Sequence, residues 1–201
     1  MSNVLSFDIE TKNLSYDIGG WENTHLFKVA CVTTWDGNNG VIYIDEEIGE
    51  LKKEDNVQIK SLRELKYDLD DHFQKGGILL GHNIHAFDLP VLRDAMDIYI
   101  VRKYLEDKAN RCIDTSAYLL KNHGKRIHLD NLVKNTISDQ KNMSSIDSVF
   151  KWNEGLYSSV ADYCLKDSQL TYELWMHGKD NGIVKYFDEV ENKFEELSVD
   201  W

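Results

Sequence analysis

Apolar and polar positions in residues 3–9, NVLSFDI, alternate in the manner of a strand. A second β-rich run, His25 to Trp35, follows a Gly19-Gly20 turn signal, and a third, Val41 to Ile44, lies beyond Asp36-Gly37-Asn38-Asn39-Gly40. Together they predict a three-stranded meander. Glu46 to Lys60 is charged and weakly periodic and predicts a loop. From Ser61 to Phe73, residues Leu62, Leu65, Leu69 and Phe73 recur at helical spacing behind a serine suited to the N-cap, so a helix is expected to cross back.

Ile78-Leu79-Leu80, opened by Gly76-Gly77, is too short and too glycine-bounded for a helix and predicts a buried strand. The next helix is expected near Asp88, a good N-cap, with Pro90 in the first turn where a missing N–H costs nothing. A short strand at Arg111 to Ile113 precedes helical pieces around Ser116 to Lys121 and Leu129 to Asn135. Thr136 to Gly155 is polar and poorly periodic and reads as a long connection. Leu156 to Met176 predicts a long helix through Val160, Tyr163, Cys164, Leu170, Leu174 and Trp175, and residues 183–197 predict a last one. This order predicts one α/β domain over residues 1–201, a mixed β-sheet of about five strands flanked by helices.

Composition narrows the class. With 201 residues, 42% of them hydrophobic and 11% aromatic, the chain can bury one sizeable core, which excludes collagen-like and disordered classes. The net charge of −12 argues against a protein that coats nucleic acid by bulk charge. It leaves room for a nuclease, because metal-assisted phosphoryl chemistry needs carboxylates at the site. Cys31, Cys112 and Cys164 are widely separated with no CxxC pairing, which suits a reducing compartment, so a cytoplasmic location is expected. No signal-like run and no stretch of 18 apolar residues is present, so no membrane association is expected.

The carboxylates carry the chemistry. Asp8 and Glu10 are two apart on the first predicted strand, so both point to one face. Acid-x-acid pairs alone are weak signals, since chance gives about six in a chain this acidic. Within SFDIET, however, they alternate with Phe7 and Ile9, which places two acids at the end of a buried strand, a costly arrangement unless they are paired or bound to a cation. Asp88 ends the string Asn83, Phe87, Asp88, Pro90, Leu92, again where a strand passes into a helix. Asp167 follows Tyr163 by four residues, so phenol and carboxylate share one helix face. Four such acids could gather round two divalent cations, Mg²⁺ or Mn²⁺, and clamp a phosphodiester for hydrolysis.

FDIET, NxxxFD and YxxxD in this order resemble the three motifs of the DEDD 3'-5' exonucleases of the tyrosine subtype, which have a ribonuclease H-like fold. The histidine subtype carries a histidine five residues before the last aspartate, and here that position is Asp162. YCLKD is similar to the third motif of family-B DNA polymerase proofreading domains. GGILLGHNIHAFDLP, RCIDT and the pair Trp152-Asn153 resemble the proofreading domains of short family-A phage polymerases, and the likeness spans residues 3–176. The resemblance implies that Asp8 bridges two metal ions, that Glu10 and Asp167 hold the ion beside the attacking water, that Asp88 holds or orients the second, and that Tyr163 orients the water. It also implies that Thr11, Asn83 and Phe87 approach the 3'-terminal nucleotide.

The expected activity is metal-dependent 3'-5' hydrolysis of single-stranded or frayed DNA ends, releasing nucleoside 5'-monophosphates in proofreading, repair or end trimming. Two alternatives stand beside it: an exoribonuclease of the RNase D kind and an inactive nuclease-fold subunit of a replication complex. No polymerase domain accompanies the motifs, so a separately encoded DNA polymerase or replication protein is a candidate partner. Outside the motifs, Lys121 to His128 forms the one basic cluster, and Tyr16 and Trp21 follow the first motif, where they could stack on an unpaired base or pack in the loop. Asp114 reads as a helix cap or a supporting group, and His82 and His85 as structural or substrate-contacting rather than zinc-binding.

Overall fold

The computed structural model describes residues 3–48, 56–141 and 143–201. Among them the elements run β1 (Val4–Thr11), β2 (Val29–Trp35), β3 (Gly40–Tyr43), β4 (Val57–Lys60), α1 (Leu65–Gln74), β5 (Ile78–Gly81) and α2 (Asp88–Asp94). They continue with α3 (Ile100–Glu106), α4 (Lys108–Arg111), β6 (Cys112–Asp114), α5 (Thr115–His123), α6 (Leu129–Thr136), α7 (Ser145–Asn153), α8 (Tyr157–Asn181), β7 (Ile183–Asp188) and β8 (Lys193–Ser198).

The fold is α/β. A mixed sheet has the order β4-β3-β2-β1-β5-β6, with β1, β2 and β3 antiparallel in turn and β1, β5 and β6 parallel. β4 joins parallel to β3 at the edge, a sixth strand inside the stretch expected to be a loop. Val57 and Ile59 alternate with Gln58 and Lys60 there, a four-residue period too short to stand out from its charged surroundings. The part of that stretch at 49–55 lies outside the described residues.

Helices cover both faces of the sheet. Phe7 and Ile9 of β1 pack with Leu65 and Leu69 of α1 and with Leu89 and Leu92 of α2. On the other face Ala30, Cys31 and Ile42 pack with Val160, Ala161 and Cys164 of α8 and with Trp152 of α7. Burial of each of the larger ones, Phe7, Ile9, Ile42, Val160 and the four leucines, contributes about 1.5–3 kcal/mol, which helps hold β1 between two layers. The period of two then divides β1, sending Phe7 and Ile9 to the α1/α2 side and Asp8 and Glu10 towards α8.

Several expectations shift. β7 and β8 form a hairpin where a helix was expected over residues 183–197. α8 ends at Gly182, whose φ of 71° lies in the left-handed region, and beyond it Val184, Tyr186 and Asp188 are buried in alternation with Ile183, Lys185 and Phe187. Asp188 Oδ1 accepts the N–H groups of Val190 and Glu191 and closes the turn. The connection expected at 136–155 contains α7, started by Ser144, whose Oγ accepts the N–H of Asp147 at 3.1 Å. β6 begins one residue later than expected, and α3 and α4 fill a stretch for which the pattern gave no element. No helix among the described residues is long and apolar enough to cross a membrane, and the three cysteines are free and buried.

Candidate metal and catalytic site

β1, β5 and β6 run parallel, so their C-terminal ends and the loops that follow them open along one edge of the sheet. Between Glu10 and Thr11 the register against β2 slips, a bulge of the kind that re-aims side chains beside functional sites. α8 crosses the face towards which Asp8 and Glu10 point, presenting Tyr163 and Asp167 one turn apart. Asp8, Glu10 and Asp167 each bring a carboxylate oxygen within 4.8 Å of the others.

Asp88 approaches from α2. The N-cap position expected for it is held by Phe87, and Asp88 is instead the first helical residue. The N–H groups of Asp88 itself and of Ile9, the residue between Asp8 and Glu10, bear on its carboxylate and pull its pKa down. Its charge is in turn felt by both Asp8 and Glu10. Three of the expected acids therefore converge closely, and the fourth stands against the same strand.

Burial sets the electrostatics. Enclosure by protein, followed by repulsion from Asp167, Asp88 and Glu10, raises the Asp8 carboxyl well above its usual range. Burial pushes Glu10 up to about 8 and Asp88 up to about 7. Asp167 is also raised by burial, against the opposing pull of Lys141. The Tyr163 phenol is driven above its ordinary value by burial and by Asp167, Glu10 and Asp8. At neutral pH it is a hydrogen-bond donor and not a base. Its hydroxyl is fully buried, near enough to influence Asp167, yet without a partner in hydrogen-bond geometry among the described residues.

Three further residues border the site: Lys141 and Ser148 lie outside the motifs, and Cys164 lies within YCLKD without having been expected there. Lys141 Nζ pairs with Asp167 Oδ2 and sits 4.8 Å from the centre of the Tyr163 ring. The Ser148 hydroxyl of α7 hydrogen-bonds to Glu10 Oε2. Cys164 Sγ lies 3.4 Å from both the carbonyl oxygen and Oδ2 of Asp8. Lys141 and Ser148 belong to the stretch left without elements in the sequence pattern. The capping signature Ser144-x-x-Asp147, with Val149 and Trp152 behind it, was the available signal for α7 and for Ser148 on its inner face. Nothing in the sequence marks Lys141.

The remaining expected residues lie around this centre. Thr11 is buried and its hydroxyl donates to the Asn13 carbonyl at 3.0 Å. Asn83 has a φ of 75°, a left-handed conformation that asparagine tolerates, and its N–H donates to Asp114 Oδ1. Phe87 is half-buried among Trp21 and Phe27. Asp114 caps α5 through the Ala117 N–H and also accepts the N–H of His85, so it fixes the loop that leads to Asp88. His82 is held neutral, its pKa brought down to about 4 by burial; Nε2–H donates to the Ile127 carbonyl while Nδ1 pairs with the Thr115 hydroxyl. Part of the basic cluster turns away to the hairpin: Lys125 pairs with Asp188 and His123 with the Ser198 carbonyl.

The donor set fits a hard divalent cation. All its atoms are oxygens, the carboxyls are crowded enough to raise one another's pKa, and Asp167 Oδ1 is buried with no hydrogen-bond partner. No protein-family model matches the chain, and no curated protein matches it significantly.

Proposed function

We propose that the chain is a metal-dependent 3'-5' exonuclease with a ribonuclease H-like fold, hydrolysing phosphodiester bonds at the 3' ends of single-stranded or frayed DNA. The observation that carries this reading is the convergence of three carboxylate oxygens within 4.8 Å, from the half-buried Asp8 and the buried Glu10 and Asp167, beside a buried tyrosine hydroxyl that lacks a partner among the described residues. The sheet order, with antiparallel β1 to β3 continued by parallel β5 and β6, supports the fold assignment.

Asp8, Glu10 and Asp167, with Asp88 on the flank, would hold two Mg²⁺ or Mn²⁺ ions. Bound there, the ions supply Lewis-acid stabilisation of the attacking and departing oxygens of an in-line displacement. The chain's own contribution is placement. Tyr163 offers its O–H to orient the attacking water, Ser148 fixes the rotamer of Glu10, and Lys141 places a positive charge beside Asp167. Lys141 is already paired with Asp167, so bound cations would supply most of the charge that attracts the substrate phosphate.

The test is a time course on matched 5'-labelled DNA and RNA oligonucleotides, single-stranded and with a 3' mismatch, with Mg²⁺ or Mn²⁺, alongside Asp8→Ala. A ladder shortening from the 3' end of DNA, absent in the variant, is expected. Preference for RNA replaces the substrate, and no metal-dependent cleavage of either overturns the reading.

A further inference from the structure

Loop 12–28, between β1 and β2, begins where the site ends and carries two large aromatics in water: Trp21 is 63% exposed and Tyr16 is 92% exposed. The loop is tied down along its length. Asn13 Nδ2 donates to the Leu26 carbonyl while its Oδ1 accepts the Lys28 N–H, Asn23 Nδ2 donates to the Ile18 carbonyl, and the Gly20 N–H donates to the Ser15 carbonyl. Trp21 is braced from beneath. Its ring stands edge-on to Phe87 at 5.2 Å and 80°, tilts against Phe27 at 6.0 Å, and Phe27 and Phe87 meet at 5.1 Å and 87°. Phe27 is buried and anchors the trio; Phe87 directly precedes Asp88.

We propose that Trp21, braced by Phe27 and Phe87, is a stacking platform for an unpaired base of the strand whose 3' end lies at the carboxylate cluster. The proposal rests on the nuclease reading and assigns to Trp21 the contact that holds an unpaired base. A fixed indole with an open face is what a base needs, since every base has a π-face and the ordering of the protein side is complete before binding. The exposed charged residues of the loop carry both signs, Asp17 and Glu22 against Lys28, so it offers no basic strip for phosphate and the open indole face is its distinguishing feature. A protein partner would require a broad apolar patch, and exposed polar residues (Asp17, Glu22, His25, Lys28) interrupt this one.

The experiment uses single-stranded DNA carrying 5-iodouracil at each of the last four positions in turn. It is irradiated with the chain in EDTA, and with Asp8→Ala in Mg²⁺, and the adduct is mapped by mass spectrometry. Steady-state cleavage by Trp21→Ala and Trp21→Phe runs in parallel. An adduct at Trp21 or Tyr16 is expected, with KM for single-stranded ends raised roughly ten-fold in Trp21→Ala, kcat little changed, and the loss largely rescued in Trp21→Phe. Adducts confined to residues outside 12–28, or an unchanged KM in Trp21→Ala, sink the platform while the nuclease reading stands. An adduct at Trp21 in a chain that cuts neither DNA nor RNA keeps the platform and sinks the hydrolytic reading. A chain that neither binds nor cuts overturns both.

Discussion

Asp114 and Asp167 are two buried aspartates with opposite surroundings. Asp114 receives three backbone N–H groups, from Asn83, His85 and Ala117, each at 2.9 Å. Asp167 has Lys141 on one oxygen and no partner on the other, with Asp8 and Glu10 close by. Burial alone therefore does not distinguish these two carboxylates; the supply of donors does. Where donors meet the acceptor demand the carboxylate organises backbone, here the loop from Gly81 to Asp88. Where they fall short among like charges, the carboxylates offer oxygens that could hold a cation.

The largest expected effect is the reversal of roles on truncation. Asp8→Ala or Asp167→Ala should lower kcat/KM by at least roughly a thousand-fold, about 4 kcal/mol of transition-state stabilisation, with the fold kept. Without metal Asp8→Ala should unfold no earlier than the parent, because a carboxyl crowded by like charges has been removed, whereas Asp167→Ala also strands Lys141 and should lose stability unless paired with Lys141→Met. Asp114→Ala should instead cost about 2–4 kcal/mol of stability, since three N–H groups lose their acceptor, and Tm should fall by roughly 5–10 °C. Thermal unfolding and turnover measured on all three break the comparison if Asp114→Ala proves stable and Asp8→Ala does not.

This contrast also shows what the sequence could carry. Asp8, Glu10, Asp88, Tyr163 and Asp167 were legible because each sits on a strand, a junction or a helix whose periodicity fixes its direction. β1, β5 and α8 were legible for the same reason. Lys141 and Ser148 were not, because they reach the site from a stretch whose position depends on tertiary packing. The C-terminal hairpin is hard to read from the pattern although Val184, Tyr186 and Asp188 alternate, because Ile183, Phe187 and Leu197 also fit a helical stripe; Gly182 is the one local signal that ends α8. The donors to Asp114 are backbone groups, and no side-chain pattern announces them.

The next effect is on pH. Glu10 and Asp88 rise from ordinary values of 4.5 and 3.8 to about 8 and about 7. Between those limits the native chain holds more protons than the unfolded chain. Their contribution to stability is thus complete below about pH 4 and is lost as pH rises through 7 and 8. A divalent cation works in the other direction, binding the ionised carboxylates and losing affinity as pH falls. Unfolding temperatures in EDTA should drop from pH 6 to pH 9, and Mg²⁺ or Mn²⁺ should close much of that gap. A metal-free Tm independent of pH would count against the crowded, cation-seeking cluster. Lys141→Met removes the charge that opposes the rise at Asp167 and Asp8, and should move the pH dependence of metal binding to higher pH.

Tyr163→Phe should be milder than any ligand truncation, because it removes only the hydroxyl proposed to orient the water and leaves the carboxylates in place. A loss of about ten- to a hundred-fold in kcat with little change in metal affinity is expected, read from turnover against metal concentration. A loss as complete as that of Asp8→Ala would mean that the phenol does more than orient water.

Ser148→Ala should have the smallest effect, and it separates positioning from ligation. The hydroxyl is buried and its bond to Glu10 is the leading influence that draws that carboxyl down against burial. Without it Glu10 keeps its place on β1 but loses the contact that selects its rotamer, and its pKa rises further. The expected result is a several-fold loss of kcat at neutral pH that shrinks as pH is raised, since ionisation of Glu10 is then restored. Thr in place of Ala keeps the hydroxyl and should recover activity. A loss in Ser148→Ala that is independent of pH would place the serine's effect in packing of α7 against β1 instead.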